Sequence, residues 1–217
     1  AMAAVAHETS KPETPVPEGA GKEHGGSTFL RELAGNYVPF IVVDRVVSAD
    51  VVDKNPRFAD RLPHLKCVTA VGFDEEGARA VATLQELEGL NSGMGGLGDL
   101  SRYSPLRRLR GINLYESEVT ERDVEWLGRC TTLEQIEMWG VNIGDEGLRK
   151  LCSLKRLKAL SVGGGNEGLK FTDGCFELFS QLDSLEELEV SGNFQGKTVE
   201  ALLRLKKLRY LRVSSPN

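Results

Sequence analysis

The residue types that most often carry catalysis are sparse in this sequence. Histidine is the side chain that most often transfers protons near neutral pH, and zinc sites usually include at least one. No two cysteines form a C-x-x-C motif, so we expect all of them to act as small buried hydrophobes. We therefore predict no catalytic residue and no metal site. The residues concerned, in a chain of 217, are His7, His24, His64, Cys67, Cys130, Cys152 and Cys175.

Two glycine-rich runs match the spacing G-x-G-x-x-G of dinucleotide-binding loops: Gly93–Gly98 and Gly163–Gly168. That chemistry requires a helix to begin at the last glycines, within a strand–helix–strand unit, so that its free amides meet a pyrophosphate. Both runs instead follow a repeat strand, where small residues are simply accommodated. The second run also fails as a phosphate-binding loop, because Leu169-Lys170-Phe171 replaces the required Lys-Ser/Thr. We therefore expect no cofactor.

The composition narrows the class of partner. The formal net charge is −5, and 40% of residues are apolar while 27% are charged. Nucleic-acid-binding domains are usually basic, so we expect no nucleic-acid partner. No apolar run approaches the roughly 20 residues of a membrane-spanning helix, and Ala1–Ala6 lacks the features of a secretion signal. We expect an intracellular protein, most simply a cytoplasmic one.

The chain divides into three regions. Residues 1–27 are rich in proline, glycine and charge, and we expect a flexible tail there because so little apolar surface can be buried. Residues 28–61 include Tyr37–Val47, whose β-branched residues predict a strand, and this region does not recur later in the chain. We expect it to be an N-terminal cap for the array over residues 62–217.

A periodic pattern, L-x-x-L-x-L, dominates that array. Clean copies begin at positions 109, 133, 157, 185 and 208, and weaker copies begin at Leu84 and Leu65. Apolar runs with helical spacing lie between the copies, and an aspartate precedes or opens several of them, where it can satisfy free amides. Each unit is therefore strand, turn, helix and return, and only stacked units can bury the leucines. The aspartates are Asp123, Asp145 and Asp173.

These copies resemble leucine-rich repeats. The segments 130–136 (CTTLEQI) and 143–148 (IGDEGL) are similar to the cysteine-containing and ribonuclease-inhibitor-like subtypes. The resemblance implies an α/β solenoid of about six or seven repeats, with short parallel strands on a concave face and helices on a convex face. The unit that begins at 157 is longer than the others, which predicts a bulging loop near Gly163–Lys170.

Alternation within the strands indicates which side chains leave the apolar core for the concave face. The predicted face is acidic, with two aromatic residues on successive repeats, a composition common in protein interfaces. We therefore predict a non-catalytic protein–protein interaction module that binds a basic or mixed protein surface. The predicted partner-binding residues are Glu88, Asn113, Tyr115, Glu137, Trp139, Glu189, Tyr210 and Arg212.

Two alternatives remain open from the sequence. The first is a structural scaffold that packs its C-terminal end, Leu208–Val213, or its convex side on a partner or a second copy, because no polar cap follows that strand. The second is a nucleotide-binding protein or enzyme that uses a glycine-rich loop.

Overall fold

In this computed structural model, residues 41–42, 65–70, 75–92, 97–114, 117–164, 170–195 and 199–215 are described. They include eight strands that pair in sequence order in one parallel sheet. Neighbouring strands in the chain are therefore neighbours in the sheet, which is the arrangement of a solenoid. The strands are β1 Ile41–Val42, β2 Cys67–Ala70, β3 Gly89–Ser92, β4 Gly111–Leu114, β5 Gln135–Val141, β6 Ala159–Gly164, β7 Glu187–Ser191 and β8 Tyr210–Ser214.

Helices alternate with the strands, as the repeat pattern predicts. The α-helices are short, and a 3₁₀ helix at Leu100–Tyr103 takes their place between β3 and β4. The architecture is that of an α/β leucine-rich-repeat solenoid. The α-helices are α1 Glu75–Ala82, α2 Glu121–Arg129, α3 Asp145–Leu151, α4 Gly174–Phe179 and α5 Val199–Leu202.

Several predictions lie wholly or mostly outside the described residues. The tail at 1–27 is one of them. Of the cap at 28–61, only β1 is described; it lies within the predicted strand at 37–47 and pairs in parallel with β2. Positions 165–169 of the predicted bulging loop are also outside the described residues.

The core is a stack of apolar layers, one for each repeat. In the unit that leads into β6, Leu154, Leu157, Leu160 and Val162 are all 2% exposed or less. Each such side chain contributes roughly 1.5–3 kcal/mol through burial. The pattern therefore has one more apolar position than the sequence template, L-x-x-L-x-x-L-x-L, and the buried side chains of successive units form one continuous cluster.

This additional leucine explains an error in the predicted frame, that is, in the alignment of the L-x-x-L-x-L template with the sequence, at the start of the array. The sequence match at Leu84 sets a strand that ends at Gly89, but β3 begins at Gly89, and Gly89 pairs with Gly111 of β4. The correct frame is Leu87-Glu88-Gly89-Leu90-Asn91-Ser92. Leu84 is the additional leucine of this unit and is 1% exposed.

The three aspartates satisfy backbone amides, but mainly between units. Asp123 does take part in its own helix terminus, where it forms a capping box with Thr120, and it also accepts a hydrogen bond from the Leu100 amide at 2.9 Å. Asp145 accepts from the amide of Thr172 at 3.0 Å, and Asp173 accepts from the amide of Gln195 at 3.1 Å. These bonds tie each unit to a neighbouring unit, while α3 and α4 have no side-chain cap.

Candidate protein-binding face

The sheet surface opposite the helices is called the open face below, and its residues follow two registered rows. The strand pairings align Asn91, Asn113, Glu137, Ser161, Glu189 and Arg212 in one row. They align Cys67, Gly89, Gly111, Gln135, Ala159, Glu187 and Tyr210 in the other. The structure thus brings five of the predicted binding residues onto these rows: Asn113, Glu137, Glu189, Tyr210 and Arg212.

Hydrogen bonds run along the first row from repeat to repeat. Asn113 Nδ2 donates to Glu137 Oε2 at 2.9 Å. Farther along, Ser161 Oγ donates to Glu189 Oε2 at 3.3 Å, and Arg212 Nη1 donates to Glu189 Oε1 at 2.7 Å. The row therefore contains two hydrogen-bonded groups, Asn113–Glu137 and Ser161–Glu189–Arg212, rather than a set of independent side chains.

The two carboxylates of this row are buried, unlike the solvated glutamates that the strand pattern suggests. Glu137 is 6% exposed and Glu189 is 8% exposed, whereas Tyr210 is 50% exposed. Neighbouring side chains at the close spacing of parallel strands, about 4.8 Å, cover one another. The exposed members of the face are Tyr210 and Arg212, and Trp139 and Asn113 are half-buried.

Burial changes the acidity of Glu137. Removal of the carboxylate from water, and then the charge of Glu189, raise the pKa of Glu137 to about 7. No described lysine or arginine forms an ion pair with it, while Glu189 is paired with Arg212. Glu137 is thus a buried carboxyl group that changes its charge near neutral pH.

Gln135 is a second unusual polar group on this face. It is 1% exposed, and neither its Nε2 nor its Oε1 has a hydrogen-bond partner. Buried amides are nearly always hydrogen-bonded, and an unpaired one costs about 1–3 kcal/mol. Gln135 and Glu137 lie two residues apart on the same face of β5, so two incompletely satisfied groups are adjacent. No sequence pattern marks Gln135, since its burial and its lack of a partner appear only in the structure.

Trp139 is held in a fixed orientation across the next strand. Its Nε1 donates to Ser161 Oγ at 2.7 Å. It pairs in register with Gly163, and a Cβ at Gly163 would lie 2.3 Å from the indole ring, so only glycine leaves room for it. The strand bulges just after it at Gly140, whose φ of 76° favours glycine. Tyr115, its predicted aromatic neighbour, lies outside the described residues.

Glu88 does not belong to the open-face rows, and its predicted place there is wrong because of the frame error at Leu84. It lies at the position just before a strand, and its carboxylate pairs with Lys66 at 3.3 Å and with Arg110 at 3.2 Å. The row position assigned to Glu88 is held instead by Asn91.

The positions just before strands β2–β8 form a further row, which the sequence predictions do not include. Backbone hydrogen bonds connect its members from one repeat to the next, and their charges alternate in sign. The signal was present in the second position of each template, but alternation appears only when all copies are in the correct frame. We call this row the charge ladder: Lys66, Glu88, Arg110, Glu134, Lys158, Glu186 and Arg209.

Glu134 is the most strongly paired member of the charge ladder. It is 3% exposed and binds Arg110 at 3.1 Å, Arg156 at 2.9 Å and Lys158 at 2.9 Å. Burial raises its pKa, but the hydrogen bonds from the three cations outweigh burial and hold the pKa of Glu134 at about 2.

The described residues offer little for covalent or metal chemistry. The four cysteines are unbridged, and burial raises the pKa of each thiol, to about 11 for Cys130, which leaves little reactive thiolate. Among the described residues, no group of three or more histidine, cysteine or acidic side chains is placed to hold a metal ion. Most of both glycine-rich runs lies outside the described residues. None of the described helices has the length and hydropathy needed to cross a membrane.

Comparison with known proteins gives similarity at the level of structure only. No protein-family profile matches the chain, and no curated protein sequence matches it. Internalin C2 of Listeria monocytogenes str. 4b F2365 is similar over 72% of this chain and 66% of its own, with 17% identity and a TM-score of 0.55. Internalin InlF of the same strain is similar over 75% of this chain and 50% of its own, with 14% identity and a TM-score of 0.50. The chain thus spans less than two thirds of each, and it shares with them the fold of leucine-rich-repeat proteins.

Proposed function

We propose that this chain is a non-catalytic module that binds a partner protein through its open, concave face. Trp139 is the observation that supports this most strongly. Its ring is half-buried, its indole N–H is already bonded to Ser161, and Gly163 fixes its position. A tryptophan held in one orientation loses little conformational entropy on binding, and such residues dominate the energy of many interfaces.

The charges around Trp139 support a basic or mixed partner surface. Glu137 has no described counter-cation, and Gln135 has no hydrogen-bond partner. A cationic side chain of a partner that reached β5 would donate to the Glu137 carboxylate and to Gln135 Oε1, and Gln135 Nε2 would still need an acceptor. Toward the end of the sheet, Arg212 and Tyr210 are exposed and offer a donor and an aromatic ring. Fold alone does not give function, so the proposal depends on these side chains.

The test is an affinity capture from source lysate, identified by mass spectrometry, with the chain itself as bait. We expect the variant Tyr115→Ala/Trp139→Ala to lose a set of proteins that the unchanged chain retains. The matched control is Glu177→Ala/Arg204→Ala, which removes an exposed ion pair on the helical side. Hydrogen exchange of the recovered complex should then protect β4–β6. Unaltered capture by the tryptophan variant would refute the concave site.

A second candidate, a scaffold that packs through its C-terminal end, also has a specific observation in its favour. Leu203, Tyr210, Leu211 and Val213 are 41–70% exposed, and they are the large exposed hydrophobic side chains of the described chain. Exposed apolar area of this kind often marks a contact with another protein or a second copy. Leu211→Lys/Val213→Lys would abolish capture or self-association under this candidate and leave concave binding intact.

Two further expectations accompany the proposal. We propose an intracellular setting, supported by the four unbridged cysteines, since disulfides are rare in reducing compartments. We also retain the cysteine-containing or ribonuclease-inhibitor-like repeat subtype as a proposal, supported by the segments at 130–136 and 143–148.

A further inference from the structure

The turns that lead into the strands alternate in charge with a period of two repeats. Each turn has the pattern Leu-x-x-Leu-x, with Cys130 in place of the first leucine before β5. The three variable positions are basic before β4, β6 and β8. The same positions are neutral or acidic before β3, β5 and β7, where they are Gln85, Glu86 and Glu88; Thr131, Thr132 and Glu134; and Asp183, Ser184 and Glu186. The basic sets, called basic triads below, are Arg107, Arg108 and Arg110; Lys155, Arg156 and Lys158; and Lys206, Lys207 and Arg209.

The third member of each triad belongs to the charge ladder. In the triads before β4 and β6, this residue forms an ion pair within the protein. Arg110 and Lys158 both bind Glu134. The first two members lie in the exposed turn. One of them, Arg156, also binds Glu134, at 2.9 Å. Arg107, Arg108 and Lys207 have no carboxylate partner among the described residues. Lys155 and Lys206 donate to the uncharged backbone carbonyl groups of Gln181 and Leu203.

The triads therefore form a positively charged edge on a chain whose net charge is −5. The excess of positive charge is confined to this edge. Acidic residues lie at the opposite edge, around the first turns of the helices. Glu121 and Asp123 lie in the first turn of α2, and Asp145 and Glu146 lie in that of α3. We call the edge that carries the three triads the basic rim.

The spacing of the triads indicates the kind of anion that fits them. Triads stand on every second strand, and two strand spacings amount to about 10 Å. Residues seven apart on an α-helix are also separated by about 10 Å along its axis. The turns between the triads contain Thr131, Thr132 and Glu134, and then Asp183, Ser184 and Glu186, which give no positive charge and three negative charges. The complementary partner thus has negative charge in clusters, with neutral or basic residues between them.

A nucleic acid does not have that pattern. Its phosphates are uniformly charged and closer together than the triads, so some of them would face Asp183 and the neutral turns. We propose that the basic rim binds an acidic protein segment, a helix whose carboxylates recur every seventh residue, laid across the turns. This site is separate from the open face and does not depend on the proposed function.

The probes for this inference are two 22-residue helical peptides of identical composition. One has glutamate pairs at positions 3, 4, 10, 11, 17 and 18, and the other has the same residues in scrambled order. We expect the patterned peptide to bind the full chain at low salt at least about fivefold more tightly than the scrambled one in fluorescence anisotropy. Affinity should fall as salt shortens the Debye length below about 10 Å.

Charge reversal locates the site. We expect Arg107→Glu/Arg108→Glu to weaken binding of the patterned peptide about tenfold. Exposed ion pairs are individually weak, but this variant removes two attractive contacts and adds two repulsive ones. The control Arg122→Glu/Lys170→Glu makes the same charge change near the helix N-termini and should leave affinity within about twofold. Equal binding of the scrambled peptide, equal effects of the two variants, or tighter binding of a 20-nucleotide oligouridine would overturn the proposal.

Discussion

Glu134 and Glu137 lie three residues apart, both are nearly inaccessible to water, and their acidities move in opposite directions. Glu134 receives hydrogen bonds from three cations on its own and adjacent units, and its pKa falls to about 2. Glu137 has no described counter-cation, and its pKa rises to about 7. Burial acts on both, so the difference comes from what the adjacent repeats place beside each carboxylate. In a solenoid, the chemistry of a position is set across the repeats as much as along the chain.

Of the substitutions that test this difference, Glu134→Gln should have the largest effect on the free energy of unfolding. A pKa lowered from 4.5 to about 2 corresponds to about 3 kcal/mol of stability, present above pH 4.5 and lost as pH falls toward 2. The variant should lose about that much free energy of unfolding at pH 7 in urea titrations, and lose this acid sensitivity. The exposed Glu177→Gln, which faces Arg204, should cost less than about 1 kcal/mol. Equal losses in the two variants would show that the three cations add nothing.

Glu137→Gln should change the free energy of unfolding in the opposite direction and by a somewhat smaller amount. A raised pKa favours the folded state below pH 4.5, and this contribution is lost as pH rises through about 7. The full loss is about 3 kcal/mol. The neutral amide removes it but has a desolvation cost of its own, so we expect the variant to be about 2 kcal/mol more stable than the unchanged chain at pH 8. At pH 4 the two should be nearly equal. A variant that is less stable at pH 8 would mean that the Asn113 hydrogen bond, rather than desolvation, governs this carboxylate.

The smallest effect is expected from changes to the neighbour of Glu137. Desolvation is the main cause of its raised pKa, and the charge of Glu189 is the lesser one. Glu189→Gln should therefore lower the pKa of Glu137 without restoring its ordinary value. Arg212→Met, which removes the cation paired with Glu189, should raise it. Side-chain carboxyl carbon resonances followed by NMR against pH would measure both, and a shift in the same direction would contradict the assignment.

The repeat pattern predicts much of the fold because it depends on side chains that point in a fixed direction. The template at Leu109–Leu114 contains β4, Gly111–Leu114, and each later copy likewise leads into a described strand. The template is less secure at Leu84, since this additional buried leucine lies three residues before the true copy at Leu87 and offers a competing frame. A frame error moves every residue of the unit, which is why Glu88 was assigned to the wrong row.

The candidate site is harder to predict from the sequence because it depends on the register between strands. Strand alternation gives the direction of Glu137 but not the neighbours that cover it. The space for Trp139 exists because Gly163, 24 residues later, pairs opposite it, and neither residue alone signals the contact. Gln135 becomes informative only when its burial and lack of a partner are known.

The charge ladder makes odd-numbered and even-numbered repeats of this array different from each other. Its signs alternate from Lys66 to Arg209, so removal of one unit, such as residues 135–158, would place Glu134 directly beside Glu186. Removal of two consecutive units would restore opposite charges at the junction and would also preserve the two-repeat spacing of the basic triads. The apolar layers are nearly interchangeable, but the charges are not, and the unit by which this solenoid can be shortened or extended without like-charge contacts is therefore a pair of repeats.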